Sequence, residues 1–190
     1  LLAMMGLSDD PALQLLSAQR FVHERVPKPP AEPMFAAFPK REGKIKVGYL
    51  SGDLHMHAVG LLMPELLELH DRSRFEVFGF CWTPEGNHPQ RQRLLAAMDQ
   101  HVRLAGVDDN TAARLIAQAG IDVLVDLQGL TSGARPGILV QRPAPVQVSY
   151  LCLPGTAALP GVDWILADRF VMPPDLLKYC TERPMYVPNC

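Results

Sequence analysis

The chain has 190 residues, room for one domain of ordinary size and an appendage. Its 48% hydrophobic and 20% charged residues are those of a soluble globular protein, and a formal charge of -2 gives no bulk attraction to nucleic acid or to an anionic membrane. No apolar run approaches the roughly 20 residues that a membrane span needs, so membrane-spanning, collagenous, coiled-coil and disordered classes are all excluded. The first residues lack the charged-then-apolar order of a signal peptide, and a start at Leu1-Leu2 instead of Met reads as a cut from something longer.

Residues 1–26 read as helical. Leu1, Leu2, Met4, Met5 and Leu7 precede Ser8-Asp9-Asp10-Pro11, a stop followed by a fresh N-cap with proline at the first helical position. Over residues 12–26, Leu13, Leu15, Leu16, Ala18, Phe21 and Val22 share a broad helical face. Pro27, Pro29, Pro30, Pro33 and Pro39 then make a semi-rigid connector. The division expected is a helical and proline-rich segment over residues 1–43 and a main domain over residues 44–190.

Within the main domain, strand and helix patterns alternate. Residues 45–50 (IKVGYL) are a strand and residues 58–70 a helix, in which Pro64 removes the bond to Gly60 and should bend the first turn. Residues 75–82 (FEVFGFCW) are a strand, 90–100 a helix and 101–104 a short strand. Residues 111–119 form a helix ending on Gly120. Strands 121–127 (IDVLVDL), 146–151 (VQVSYL) and 162–167 (VDWILA) follow, with a helical turn at 135–140. The spacing implies right-handed crossovers and an α/β fold with a mainly parallel, Rossmann-like sheet, in which IKVGYL and IDVLVDL are interior strands. Ligands of such sheets sit at the carboxyl ends of the strands, which selects the loops 51–59, 83–89, 128–135 and 151–161.

The loop Ser51-Gly52-Asp53-Leu54-His55-Met56-His57 is the densest in chemistry. It admits three readings: a histidine acting as general base and oriented by the carboxylate; a solvated loop in which Asp53 caps the helix; or a metal site, for which no third ligand stands at a recognisable spacing. Gly129-Leu130-Thr131-Ser132-Gly133-Ala134-Arg135 could offer backbone amides to an anion, or simply turn. Leu153-Pro154-Gly155-Thr156 is a rigid turn after a strand. Cysteines at 81, 152, 180 and 190 contain no C-x-x-C pair and read as reduced thiols, which fits a cytoplasmic address. Trp82 and Trp164 read as core residues. No D-x-D sequence is present to hold a divalent ion for a sugar nucleotide.

The ordered blocks VGYLSGDLHMHAV, FEVFGF, GIDVLVDLQGLTSGARP, RPAPVQVSYLCLPGT and VDWILAD resemble the O-linked N-acetylglucosaminyltransferases, the tetratricopeptide-linked family that includes the plant Spindly-type enzymes, and most of all its bacterial members. The resemblance covers residues 44–189. It implies the amino-terminal lobe of a GT-B glycosyltransferase, preceded by a short helical linker. Asp53 and His57 match the family's catalytic-loop aspartate and histidine. Leu151, Cys152, Pro154, Gly155 and Thr156 match the segment lining the sugar pocket, and Leu130 and Arg135 are further substrate-binding candidates. The implied reaction is inverting and metal-independent, without cofactor, moving N-acetylglucosamine from a UDP donor to protein Ser or Thr. The implied partners are that donor, shared with a carboxyl-terminal lobe outside this chain, and a protein acceptor, with neither nucleic acid nor membrane involved. The chain departs from the family at Ala58-Val59, where proline-threonine is common, and at Cys152, where glycine is common. A non-catalytic binding module derived from the same scaffold is the alternative.

Overall fold

The structure is a computed structural model that describes residues 7–35, 43–84 and 86–188. The helical reading of residues 1–6, Pro39 of the connector and Cys190 lie outside them.

A helix, α1 (Pro11–Arg25), opens the described chain, with the Asp10 carboxylate accepting from Ala12 N at 2.9 Å and proline in its first turn. It docks on the main domain: Ala18 is buried, and Val22 and Val26 join the larger core cluster. The connector is tied down where Met34 N and Phe35 N donate to Gln141 O and Arg142 O at 2.9 and 3.0 Å.

The main domain follows as β1 (Ile45–Ser51), α2 (Ala58–Glu68), β2 (Phe75–Cys81), α3 (Pro89–Ala96), β3 (Gln100–Arg103), α4 (Asp109–Ala119), β4 (Val123–Asp126), α5 (Pro136–Leu139), β5 (Val146–Ser149), β6 (Trp164–Ala167), a 3-10 helix (Pro174–Tyr179) and β7 (Arg183–Tyr186). The strands form one seven-stranded sheet in the order β3-β2-β1-β4-β5-β6-β7, with every pair parallel. This is the doubly wound, Rossmann-like arrangement, and the strand order reverses between β1 and β4.

Alternation along the strands sends side chains to both faces. Val47, Tyr49, Val77, Cys81 and Val125 pack with Val59, Met63 and Leu67 of α2 and Leu94 of α3. Leu50, Phe78, Phe80 and Leu124 pack with Ala112, Ala113 and Ile116 of α4 and Ile138 of α5. β1 and β4 are therefore interior strands covered on both sides, which is why they read as nearly continuous apolar runs. Gly120 ends α4 at φ 67, a left-handed position that glycine occupies without steric cost.

Several boundaries differ from the sequence reading. The third helix stops at Ala96, because Met98 packs against Gly79 and Asp99 is clamped to β2: its N–H donates to Val77 O at 2.9 Å and its carboxylate accepts from Val77 N at 2.7 Å. Pro64 does free the Gly60 carbonyl, and Gln90 Nε2 donates to that oxygen at 2.6 Å, so the acceptor is satisfied from α3. The 3-10 helix and β7 had no sequence signal. β7 is a short edge strand containing Pro184, with residues alternating between exposed and half-buried, and edge strands need no continuous apolar run. Among the described residues no helix is long and apolar enough to cross a membrane.

Candidate functional site

The strand-order reversal places the carboxyl ends of β1 and β4 side by side, and the loops leaving them are joined. After β1, the backbone of residues 52–54 is held by side chains from four elements. Gly52 N donates to Gln128 Oε1 at 2.6 Å, and Gly52 O accepts from Thr83 Oγ1 at 2.7 Å. Asp53 N donates to Ser51 Oγ at 2.9 Å. Leu54 N donates to Thr83 Oγ1 at 3.2 Å, and Leu54 O accepts from Arg91 at 3.0 Å. Ser51, Thr83, Arg91 and Gln128 are all buried. A loop whose buried amides and carbonyls are matched this way has one strongly preferred shape.

That shape brings Asp53 to 3.8 Å from His55 Nε2 through one carboxylate oxygen and 3.8 Å from His57 Nδ1 through the other. The imidazoles lie 5.9 Å apart between centroids and are half exposed. The helix cap is His57, not Asp53: Val59 N donates to His57 Nδ1 at 3.4 Å. With Nδ1 accepting, the neutral ring carries its proton on Nε2. Among the described residues no three His, Cys, Asp or Glu side chains converge as metal ligands would.

At the end of β4 the structure shows a group that the sequence reading did not select. Asp126 is buried, and its carboxylate accepts from Gln128 N at 3.1 Å and Gly129 N at 2.8 Å. Burial raises its pKa to about 6 against the opposing pull of those amides. The polar residue breaking the apolar run IDVLVDL was the available signal. The amides of Gly129, Thr131 and Ala134 are bonded to the Asp126 carboxylate, Gln128 O and Thr131 O, so these three donors of the anion site considered from sequence are engaged.

Leu130 lines a surface groove of about 380 Å³ with Phe21 of α1 and residues 131–134. Arg135 faces away from that groove. Its guanidinium is bonded to Asp109 at 2.7 Å, Leu104 O at 2.9 Å and Val107 O at 2.7 Å, and lies over the Trp82 ring at 5.4 Å. Trp82 is half-buried at the rim, with Nε1 donating to Gly133 O at 3.1 Å, and Trp164 is also half-buried.

Beyond β5, Leu151, Cys152, Leu153 and Pro154 line a pocket of about 200 Å³ with Ile165, Ala167 and Val171. Leu151 holds φ 65 without being glycine. The Cys152 sulfur lies 3.4 Å from Ser149 Oγ and directly over Gly129, so much of the bulk added by this cysteine fits between two loops. Burial, with the Asp126 charge adding to it, pushes its thiol up to about 11 and keeps it protonated. Gly155 adjoins open space. Thr156 is a clasp: its hydroxyl donates to the buried Glu182 carboxylate at 2.5 Å, which also accepts from Ala157 N at 3.0 Å. Asp53, His57 and the loops after β4 and β5 thus meet at the middle of the sheet, whereas Arg135 and the Thr156 hydroxyl are engaged in structural bonds.

Comparison with known proteins agrees with this architecture. The family described as glycosyl transferase family 41 matches residues 25–190. The chain is 32% identical over 154 residues to the probable UDP-N-acetylglucosamine–peptide N-acetylglucosaminyltransferase SEC of Arabidopsis thaliana, covering 80% of this chain and 16% of that protein. It is 35% identical over 147 residues to the UDP-N-acetylglucosamine–peptide N-acetylglucosaminyltransferase of Caenorhabditis elegans, covering 77% of this chain and 13% of that protein. A mutant O-GlcNAc transferase of Thermobaculum terrenum superposes with a TM-score of 0.83 and 29% identity, over 94% of this chain and 34% of that one. The chain spans a sixth or less of these curated relatives and about a third of that solved structure. With its family match running from the end of α1 through every strand of the sheet, the chain belongs to glycosyltransferase family 41.

Proposed function

We propose that this chain is the amino-terminal lobe of a protein O-glycosyltransferase that moves N-acetylglucosamine from UDP to a Ser or Thr hydroxyl, with inversion and without a metal ion. The observation that carries the reading is the Asp53 carboxylate within 3.8 Å of two imidazoles, at the carboxyl end of β1 and beside the strand-order reversal. The acceptor oxygen attacks the anomeric carbon as the bond to the diphosphate breaks, and the hydroxyl proton passes to water or to an oxygen of the departing diphosphate. In the tautomer set by Val59 N, His57 presents Nε2–H to the cleft and serves as a hydrogen-bond donor to a sugar or acceptor oxygen, and Asp53 orients the ring through Nδ1 when the imidazole is protonated. The pocket formed by Leu151, Cys152 and Pro154 receives the sugar, with Gly155 at its open margin. Leu130 borders the acceptor side, and Arg135 and Thr156 contribute by fixing the loops they belong to. Charge on the UDP leaving group is neutralised by a carboxyl-terminal lobe. Residues 1–43 act as the linker toward a preceding segment, and the protein works in the cytoplasm.

The test is substitution in the longer protein that contains this lobe. His57→Ala lowers sugar transfer by about 10²–10⁴-fold, the range for removing a positioned proton donor or acceptor. His55→Ala costs several-fold at most, and Asp53→Asn falls between them. Equal, small losses for all three would remove this loop from the mechanism. The 190-residue chain alone shows no transfer and only weak affinity for UDP, and micromolar binding by calorimetry would contradict the shared cleft.

A further inference from the structure

Arg91 is a buried cation without a conventional partner. Its side chain is 6% exposed, and among the described residues no carboxylate pairs with it. Its guanidinium meets two things: Leu54 O at 3.0 Å, inside the loop that carries Asp53 and His57, and the sulfur of Cys81 at 3.8 and 3.9 Å. That sulfur is fully buried at the end of β2 and lies 3.0 Å from His101 Nε2. A buried charge is tolerated when an opposite charge and hydrogen bonds surround it. Of the bonded partners of this guanidinium among the described residues, the thiol is the one able to carry a negative charge.

We propose that Cys81 is the thiolate counter-ion of Arg91, and that this pair seats the loop bearing Asp53 and His57. Arg91 is then a positioning residue for the transferase reading given above. As a thiolate, the sulfur accepts from His101 Nε2–H and from both terminal nitrogens of Arg91. Burial opposes the thiolate, but the bonds and charge of His101 and then Arg91 outweigh it and hold the thiol down at about 7. Of the other elements packed on Cys81, β1 places Ser51 opposite it and α2 presents Val59 and Met63, all uncharged, whereas β3 places the cation Arg103 as its register partner.

The thiolate is read directly by its ultraviolet absorbance, as the difference between this chain and Cys81→Asp, which keeps a negative charge beside Arg91. The expected midpoint is about 7. A midpoint at the ordinary thiol value of about 8.5 overturns the proposal. Arg91→Gln keeps a donor for Leu54 O but removes the charge, and raises the midpoint; an unmoved midpoint overturns the pairing. Seating is read by the imidazole resonances of His55 and His57. Arg91→Met displaces them and lowers kcat of the longer enzyme by about 10²-fold, with KM little changed, as misplacing a working group does. Cys81→Asp retains the resonances and kcat, and loses any limb of the pH profile near 7. Unchanged resonances in Arg91→Met overturn the seating role. A longer protein without transferase activity would refute the transferase reading alone, because the titration and the resonances are measured on this chain.

Discussion

Gln128 joins the two loops that matter most, and replacing it with methionine isolates that bond. Methionine has nearly the same length and volume, so the buried site is not left with a cavity. Two polar groups lose their partner: Gly52 N–H, now 2.6 Å from Oε1, and Ser132 O, 3.1 Å from Nε2. Ser132 is exposed and its carbonyl can turn to water, whereas Gly52 is buried and cannot. The cost is therefore dominated by one orphaned buried amide, about 1–3 kcal/mol. For a protein of this size each kcal/mol lowers Tm by roughly 2–4 °C, so Gln128→Met melts roughly 2–12 °C earlier. Hydrogen exchange locates the effect. The Gly52 amide should exchange roughly 10–100-fold faster in Gln128→Met, following the factor of ten per 1.4 kcal/mol, while amides of β2 and β4 change only by the global destabilisation. Gln128→Glu keeps an acceptor at Gly52 and preserves the protection of that amide even as global stability falls. An unchanged Tm together with unchanged Gly52 exchange in Gln128→Met would refute the idea that this side chain holds the loop.

Asp126 has its pKa raised in the folded state to about 6, so its contribution to stability is complete below pH 4 and is lost as pH rises through 6. The wild type minus Asp126→Asn difference in unfolding free energy should fall across that window by an amount on the order of 3 kcal/mol, and a flat difference would contradict the burial. Gly129→Ala puts a Cβ 2.8 Å from the Cys152 sulfur at φ 55 and should destabilise by about 1–3 kcal/mol. Adding Cys152→Gly should recover the part due to the clash but not the backbone strain, and strict additivity in the double-mutant cycle would show that the two residues do not touch. Thr156→Val removes a donor from the buried Glu182 carboxylate, and should cost about 1–3 kcal/mol and speed proteolysis near residues 157–161; unaltered stability and cleavage would dissolve the clasp.

The sequence by itself determined the sheet. Apolar runs at IKVGYL, FEVFGF and IDVLVDL are long enough, and separated by enough helix-forming residues, that only parallel strands with crossovers satisfy them, and the loops at their carboxyl ends follow from that topology. Asp53 and His57 were visible because they stand in a polar loop between a strand and a helix. β7 was invisible, because an edge strand half in solvent has no need for an apolar pattern. The environment of each side chain was decided only by the tertiary structure. Whether Arg135 faced a ligand or Asp109 depended on a hydrogen bond across 26 positions, and the choice of His57 over Asp53 as the cap of α2 depended on the shape that such distant bonds give the loop. Gln128 reaches Gly52 across 76 positions and Arg91 reaches Leu54 across 37. A buried polar group takes whatever partner the packed chain brings within 3 Å or so, and periodicity carries no information about such a meeting.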